Sequence, residues 1–227
     1  MSTIGNIVLV HGGFVDGSGW RGVHAELAGD GFHVRVVQNP TLSLRDDVAA
    51  TRDVLDALDG PAVLVGHSYG GVVVTEAGIH PNVAALAYVA AFAPDRGESA
   101  GTLLAAPPLD APQPPLRTRR DGALLLDRDR FHEAFAADLP ARRTAFMADA
   151  QVPWGVAAVG GVVTEPAWRH RTSWYLVATE DRVIPPAAQR AMARRAGSTV
   201  VEAIGSHALH VAQPAAVADL VREAAGC

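Results

Sequence analysis

Residues 62–74, AVLVGHSYGGVVV, constrain this chain more than any other stretch. A short apolar run (62–65) leads into a glycine-framed turn around Ser68, and a helix-compatible apolar run follows from Gly70. Gly-x-Ser-x-Gly between a strand and a helix is the layout of a nucleophile elbow. The turn holds the serine in a strained backbone conformation with its hydroxyl exposed above a sheet. Gly66 and Gly70 answer the sharpness of the bend, where a side chain would collide. The following helix aims its first amides at the same spot, where negative charge is stabilised. A plain glycine-rich turn is the competing reading, but it would need neither the strand before it nor the helix after it.

A strand this apolar must be buried on both faces, so the rest of the chain has to supply a layered core. Further strands are expected at residues 7–10 (IVLV), 32–37 (FHVRVV), 83–90 (VAALAYVA), 174–178 (WYLVA) and 199–204. Helices are expected at 20–28, 45–58, 185–195 and 214–225, besides the one after Ser68. This alternation predicts an α/β fold: a mainly parallel sheet of about six strands with helices on both faces. The 227 residues, 49% hydrophobic and 19% charged, suit one domain with a substantial core.

From Phe92 the regular period is lost. Pro94, Pro107, Pro108, Pro112, Pro114 and Pro115 crowd a loop-like stretch, residues 130–139 and 141–150 read as helices, and 151–166 is again loop-like. About 95–169 is therefore expected as a mostly helical cap inserted over the sheet. Phe131, Phe135, Phe146 and Trp154 are its candidates for an apolar substrate pocket, with Phe14 and His67 from the sheet side. For each of them, packing in the interior is the alternative. Arg117, Arg119 and Arg120 fit a solvated face better than an acidic-substrate site.

A serine hydroxyl is a weak nucleophile until a base takes its proton and a carboxylate orients that base. On an elbow-bearing sheet the order along the chain is Ser, then Asp or Glu, then His. Ser68, Asp181 and His207 meet that order, the last two each just past a strand. Glu180 competes with Asp181 and His210 with His207; a zinc site on the two histidines would need ligands that no other motif supplies. The amides expected to meet a developing oxyanion are those of Gly13, in the His11-Gly12-Gly13 turn, and Tyr69.

Several classes are disfavoured. A net charge of −5 gives no nucleic-acid surface. The single cysteine, Cys227, allows neither an intrachain disulfide nor a cysteine metal cluster. With no basic n-region and no long apolar stretch, the expectation is a cytoplasmic protein that neither enters nor spans a membrane. The oligomeric state is left open, a homodimer being one option.

VLVHGG, GHSYGG, ATEDRVIPP and GSHALHVAQP together resemble the small α/β-hydrolases related to plant methylesterases and hydroxynitrile lyases, with their bacterial esterase-like members. The resemblance spans both ends of the chain and is weakest over 95–169. It implies an α/β-hydrolase fold, Ser68 as nucleophile, Asp181 as acid, His207 as base, the amides of Gly13 and Tyr69 as oxyanion hole, and a helical cap. It implies no cofactor and no metal. Lyases of this kind carry a lysine after the catalytic histidine and a threonine in the first oxyanion loop; here Ala208 and Gly12 stand there. The expected activity is hydrolysis of a small to medium, fairly apolar carboxylic ester through an acyl-enzyme. Lyase, C–C cleavage or thioester chemistry on the same triad, or a hydrolase-like ligand receptor, are the alternatives.

Overall fold

Alternation of apolar side chains along the strands sorts the interior into two layers, one on each face of a sheet. The computed structural model describes residues 4–106 and 111–226; Pro107, Pro108 and Cys227 lie outside them. Strand β1 (Asn6–Val10) sends Ile7 and Leu9 into one layer and Val8 and Val10 into the other, all four fully buried. Helix α1 (Arg21–Gly29) is entered through a 3₁₀ turn, Gly17–Trp20, capped by Asp16. With Trp20, its Val23 and Leu27 cover the Ile7 face. β2 (His33–Val37) is an edge strand that buries only Val34 and Val37. Helix α2 (Leu44–Asp56) starts at Ser43, whose hydroxyl oxygen accepts the Asp46 amide at 3.1 Å, and carries Asp46 and Asp47 in its first turn. Both features satisfy the positive end of the helix.

β3 (Ala62–His67), α3 (Gly70–Ala77) and β4 (Val83–Val89) follow, β3 buried at every position. Replacing the fully buried Leu64 by alanine would cost about 2–5 kcal/mol, the range for a large-to-small change in a packed core. After β4 come α4 (Ala100–Leu104), an antiparallel hairpin of β5 (Leu116–Thr118) and β6 (Leu124–Leu126), and three short helices. These are α5 (Phe131–Phe135), α6 (Ala141–Asp149) and α7 (Val156–Val159). The chain returns to the sheet as β7 (Thr172–Ala178), α8 (Pro186–Arg195), β8 (Thr199–Ala203), α9 (Leu209–Ala212) and α10 (Pro214–Ala225).

The six strands pair in the order β2-β1-β3-β4-β7-β8, every pair parallel. Helices α1 and α10 cover one face, while α2, α3 and α8 cover the other. The expected α/β architecture is therefore present. No helix among the described residues is long and apolar enough to cross a membrane.

Between β4 and β7 the sequence reading needs correction in detail. The helix expected over 130–139 ends at Phe135, where Ala136 leaves helical geometry (φ −148°, ψ 48°). Pro140 would in any case force a break before it, because proline disfavours helical geometry in the preceding residue. Leu124-Leu125-Leu126 pairs as a strand although three consecutive leucines carry no two-residue period. The loop expected over 151–166 contains α7.

Candidate active site

β3 lies inside the sheet between β1 and β4, so its C-terminal end emerges among the loops that leave all three. Ser68 sits there with φ +54°, the left-handed region that costs a non-glycine residue about 1–3 kcal/mol. Its backbone is held from both sides. The Ser68 amide donates to Val89 O at 3.3 Å, and Ser68 O accepts the amides of Gly71 at 3.0 Å and Phe92 at 3.1 Å. A Cβ on Gly66 would lie 2.6 Å from Gly70 O, across the bend. One on Gly70 would lie 2.5 Å from Val10 O, so that glycine answers the approach of β1 as well as the turn.

The loop after β8 brings His207 over the serine. His207 Nε2 is 2.8 Å from Ser68 Oγ, and His207 Nδ1 is 2.7 Å from Asp181 Oδ2. Asp181 is buried, and its oxygens accept three further N–H groups. Val183 N (2.7 Å) and Ile184 N (2.9 Å) donate to Oδ1, and Gln189 Nε2 (2.8 Å) donates to Oδ2. A carboxylate so surrounded only accepts, so Nδ1 of His207 carries the proton and Nε2 is free to accept the serine hydroxyl. Such a relay can draw the hydroxyl proton onto the imidazole while the oxygen bonds to carbon. Glu180, the competing acid, is exposed at the surface.

Gln189 escaped the sequence reading. It is fully buried, its Oε1 accepts the Ala178 amide at 3.1 Å, and its Nε2 also reaches Ile184 O at 2.8 Å. A signal existed: Gln189 shares the buried stripe of α8 with Met192 and Ala193, where a polar residue needs a reason.

The competing histidine, His210, makes no hydrogen bond to the serine among the described residues; the one to Ser68 Oγ comes from His207. It packs against His67, the rings tilted by 37° with centroids 4.0 Å apart, and lies 4.8 Å from the Trp20 ring. Burial, reinforced by His207, lowers its pKa to about 3. No group of three or more His, Cys, Asp or Glu side chains able to hold a metal ion occurs among the described residues.

Of the two amides expected to meet an oxyanion, those of Gly13 and Tyr69, neither donates to a protein acceptor among the described residues. Tyr69 is anchored by its phenol, which donates to the buried Asp47 carboxylate at 2.6 Å; the same carboxylate accepts the Thr41 amide at 2.7 Å. Burial raises the pKa of Asp47, and those two hydrogen bonds oppose the rise. Trp154 packs against Gly13: a Cβ there would meet its ring at 2.9 Å. The Trp154 ring also stands 5.5 Å from that of Phe14, edge-on, and 5.1 Å from that of Tyr69.

The residues expected in a pocket divide by position. Phe135 is buried with its ring edge-on to His207 at 4.9 Å, and Phe131 stacks behind it at 4.9 Å. Phe14 and Phe146 border a cavity of about 250 Å³ that also touches Met147, Arg143 and His210; Phe146 is 72% exposed, at its rim. His67 lines neither this cavity nor the one described next. It is fully buried beneath the site, between His207 and His210, because its ring satisfies a backbone carbonyl there. A second, more apolar cavity of about 370 Å³ lies beside the Asp181 loop, against Phe92, Leu103, Leu104, Val183, Ile184 and Met192. Sequence reasoning missed it, since residues 103 and 104 fell in a stretch read as loop. Ser68 lines neither cavity and is 6% exposed.

Compared with known proteins, residues 7–220 match the profile of the alpha/beta hydrolase family. Carbendazim hydrolyzing esterase of Nocardioides sp. (strain SG-4G) is 37% identical over 113 residues, covering 44% of this chain and 47% of that relative, about half its length. Among solved structures, a pyrethroid hydrolase from Sphingobium faniae JZ-2 superposes with a TM-score of 0.81 at 23% identity, over 99% of this chain and 98% of the other. Polyneuridine aldehyde esterase does so with a TM-score of 0.81 at 18% identity, over 97% and 98%. At such identities the likeness is one of fold.

Proposed function

We propose that this chain, which belongs to the alpha/beta hydrolase family, is a serine hydrolase that cleaves small to medium, fairly apolar carboxylic esters. One observation carries the reading: Ser68, His207 and Asp181 form a continuous relay of 2.8 and 2.7 Å, with the carboxylate saturated by N–H donors. Ser68 Oγ attacks the ester carbonyl as His207 Nε2 takes its proton. The amides of Gly13 and Tyr69 meet the oxyanion, and the imidazolium returns the proton to the leaving alcohol. Water, activated by the same imidazole, then frees the acid from Ser68. Asp181 keeps the imidazole in the tautomer this needs and balances its charge at the top of the cycle.

The substrate class rests on the surroundings. Phe135 packs on the base and Trp154 on Gly13 and the Tyr69 ring, and both cavities described above are mainly apolar. The segment 95–169, which carries both aromatics, serves as the cap. The relatives' names, esterase and hydrolase, support the same chemistry. The test is a fluorophosphonate titration alongside turnover of p-nitrophenyl butyrate. One equivalent of probe should bind, and both activities should vanish in Ser68→Ala. Turnover without Ser68 would refute the mechanism.

A further inference from the structure

The loop that bears His207 is held at the two residues flanking it, and both holds come from one stretch between β4 and β7. On one side, the Ser206 amide donates to Asp138 Oδ2 at 2.9 Å and the Ser206 hydroxyl donates to Asp138 Oδ1 at 2.5 Å. On the other, the Ala208 amide donates to Phe135 O at 2.9 Å and to Ser206 Oγ at 3.2 Å. Phe135 and Asp138 can both face the loop because α5 stops at Phe135, freeing its carbonyl and swinging Asp138 round. Asp138 is itself at the surface, while Ser206 and His207 are buried. A neighbouring tie, Arg182 to Glu133 at 2.7 Å, joins exposed side chains and holds no backbone. Asp138 is different: it grips a main-chain amide one residue from the base, with charge-assisted bonds.

We propose that Asp138 is a positioning residue for the reaction: a carboxylate outside the sheet that fixes the backbone at Ser206 and so sets the aim of the His207 imidazole at Ser68. This rests on the reading of His207 as the general base. Orientation of a base to within a fraction of an ångström governs the rate of proton transfer far more than it governs substrate binding. Loss of the clamp should therefore appear in kcat and leave KM nearly unchanged.

The experiment compares the parent protein with Asp138→Ala, Asp138→Asn, Ser206→Ala and His207→Ala. Ester turnover is expressed per active site titrated with fluorophosphonate, and the low-field proton resonance of the His207–Asp181 hydrogen bond is recorded by NMR. Asp138→Ala should lower kcat by about 10²-fold, the scale of a misplacement near 1 Å, with KM within about twofold. Its low-field resonance should broaden or shift. Asp138→Asn keeps an oxygen for the Ser206 hydroxyl and should retain more activity than the alanine variant. If Asp138→Ala does not fold, Ser206→Ala, which keeps the amide bond and loses the hydroxyl, should still show a several-fold fall in kcat. A per-site kcat within about twofold of the parent and an unchanged resonance would overturn the proposal. Full activity and an intact resonance in His207→Ala would instead overturn the base assignment, and the proposal with it.

Discussion

His67 donates its Nε2–H to the carbonyl oxygen of His207 across 2.8 Å, so the residue before the nucleophile holds the main chain of the residue that faces it. A carbonyl cannot donate, so the tautomer of His67 follows from this contact. Its Nδ1 is then a bare lone pair, buried without a hydrogen-bond partner among the described residues. The ring lies between those of His207 and His210, 4.8 and 4.0 Å away. A proton on His67 would place a charge inside this cluster of rings.

Acid should therefore destabilise the fold through this cluster. Burial, then His210 and His207, drives the pKa of His67 well below its ordinary value, and that of His210 falls to about 3. The unfolded chain binds these protons near pH 6.5, whereas the folded chain does not until far lower. Their contribution to stability is complete above about pH 6.5 and declines as pH falls below it, in the case of His210 until about 3, by about 1.4 kcal/mol per pH unit for a fully released proton. Urea unfolding of His210→Gln between pH 7 and 4.5 should show a slope shallower by about one proton. An unchanged slope would contradict the buried, neutral assignment.

The two histidines after β8 should separate cleanly. His207→Ala should cost on the order of 10⁴-fold or more in kcat, the range for a triad member. His210→Ala removes a ring packed on His67 and Trp20, so its main effect should be a lower melting temperature. Steady-state kinetics and thermal melts on the same preparations decide the matter. The reverse pattern would shift the base by one turn.

Around the acid, Asp181→Asn should be severe and Glu180→Gln mild, because only Asp181 touches the imidazole. Gln189→Leu is the more informative variant. It strips a donor from Asp181 and leaves the Ala178 amide without an acceptor. Each buried group left unsatisfied costs about 1–3 kcal/mol, so stability and kcat should fall together. Denaturant midpoints matching the parent would mean that the glutamine bears no load.

Gly12 offers a steric test of the nucleophile's surroundings. A Cβ there would sit 2.7 Å from Ser68 Cβ and 3.2 Å from Ser68 Oγ. Gly12→Ala should depress kcat sharply by displacing the hydroxyl. Gly29→Ala, with nothing within 4 Å of the new carbon, serves as the control and should be neutral. Equal activity in both variants would mean that the space beside Ser68 is not reserved for reaction.

Cyanohydrin cleavage should be absent. Ala208 and Gly12 occupy the places where the resembling lyases carry lysine and threonine, so neither charge nor hydroxyl is offered to departing cyanide. An acyl-enzyme route needs only the relay and two amides. Mandelonitrile should release cyanide no faster than buffer does, while short aryl esters turn over. Ser68-dependent cyanide release with negligible esterase activity would reverse the assignment.

Much of this was written locally in the chain. The continuous apolar run of residues 7–10, like the one into Gly66, announces a strand buried on both faces, because apolar content and a turn glycine act over a few residues. Ser68, Asp181 and His207 could be named because each closes a strand, and strand ends in a parallel sheet share an edge. Other roles depended on contacts between distant segments. His67 looked like a pocket residue until the carbonyl of His207 came to meet it from 140 positions away. Gln189 and Asp138 are ordinary polar residues until folding brings Asp181 and Ser206 to them. Local propensity also misjudged residues 130–139, where helical composition yielded to Pro140 and to the hydrogen bonds that Phe135 and Asp138 make with the histidine loop. A short stretch can state which backbone shape it prefers. Which buried polar groups must be satisfied, and by whom, is set only when the segments pack and water is excluded.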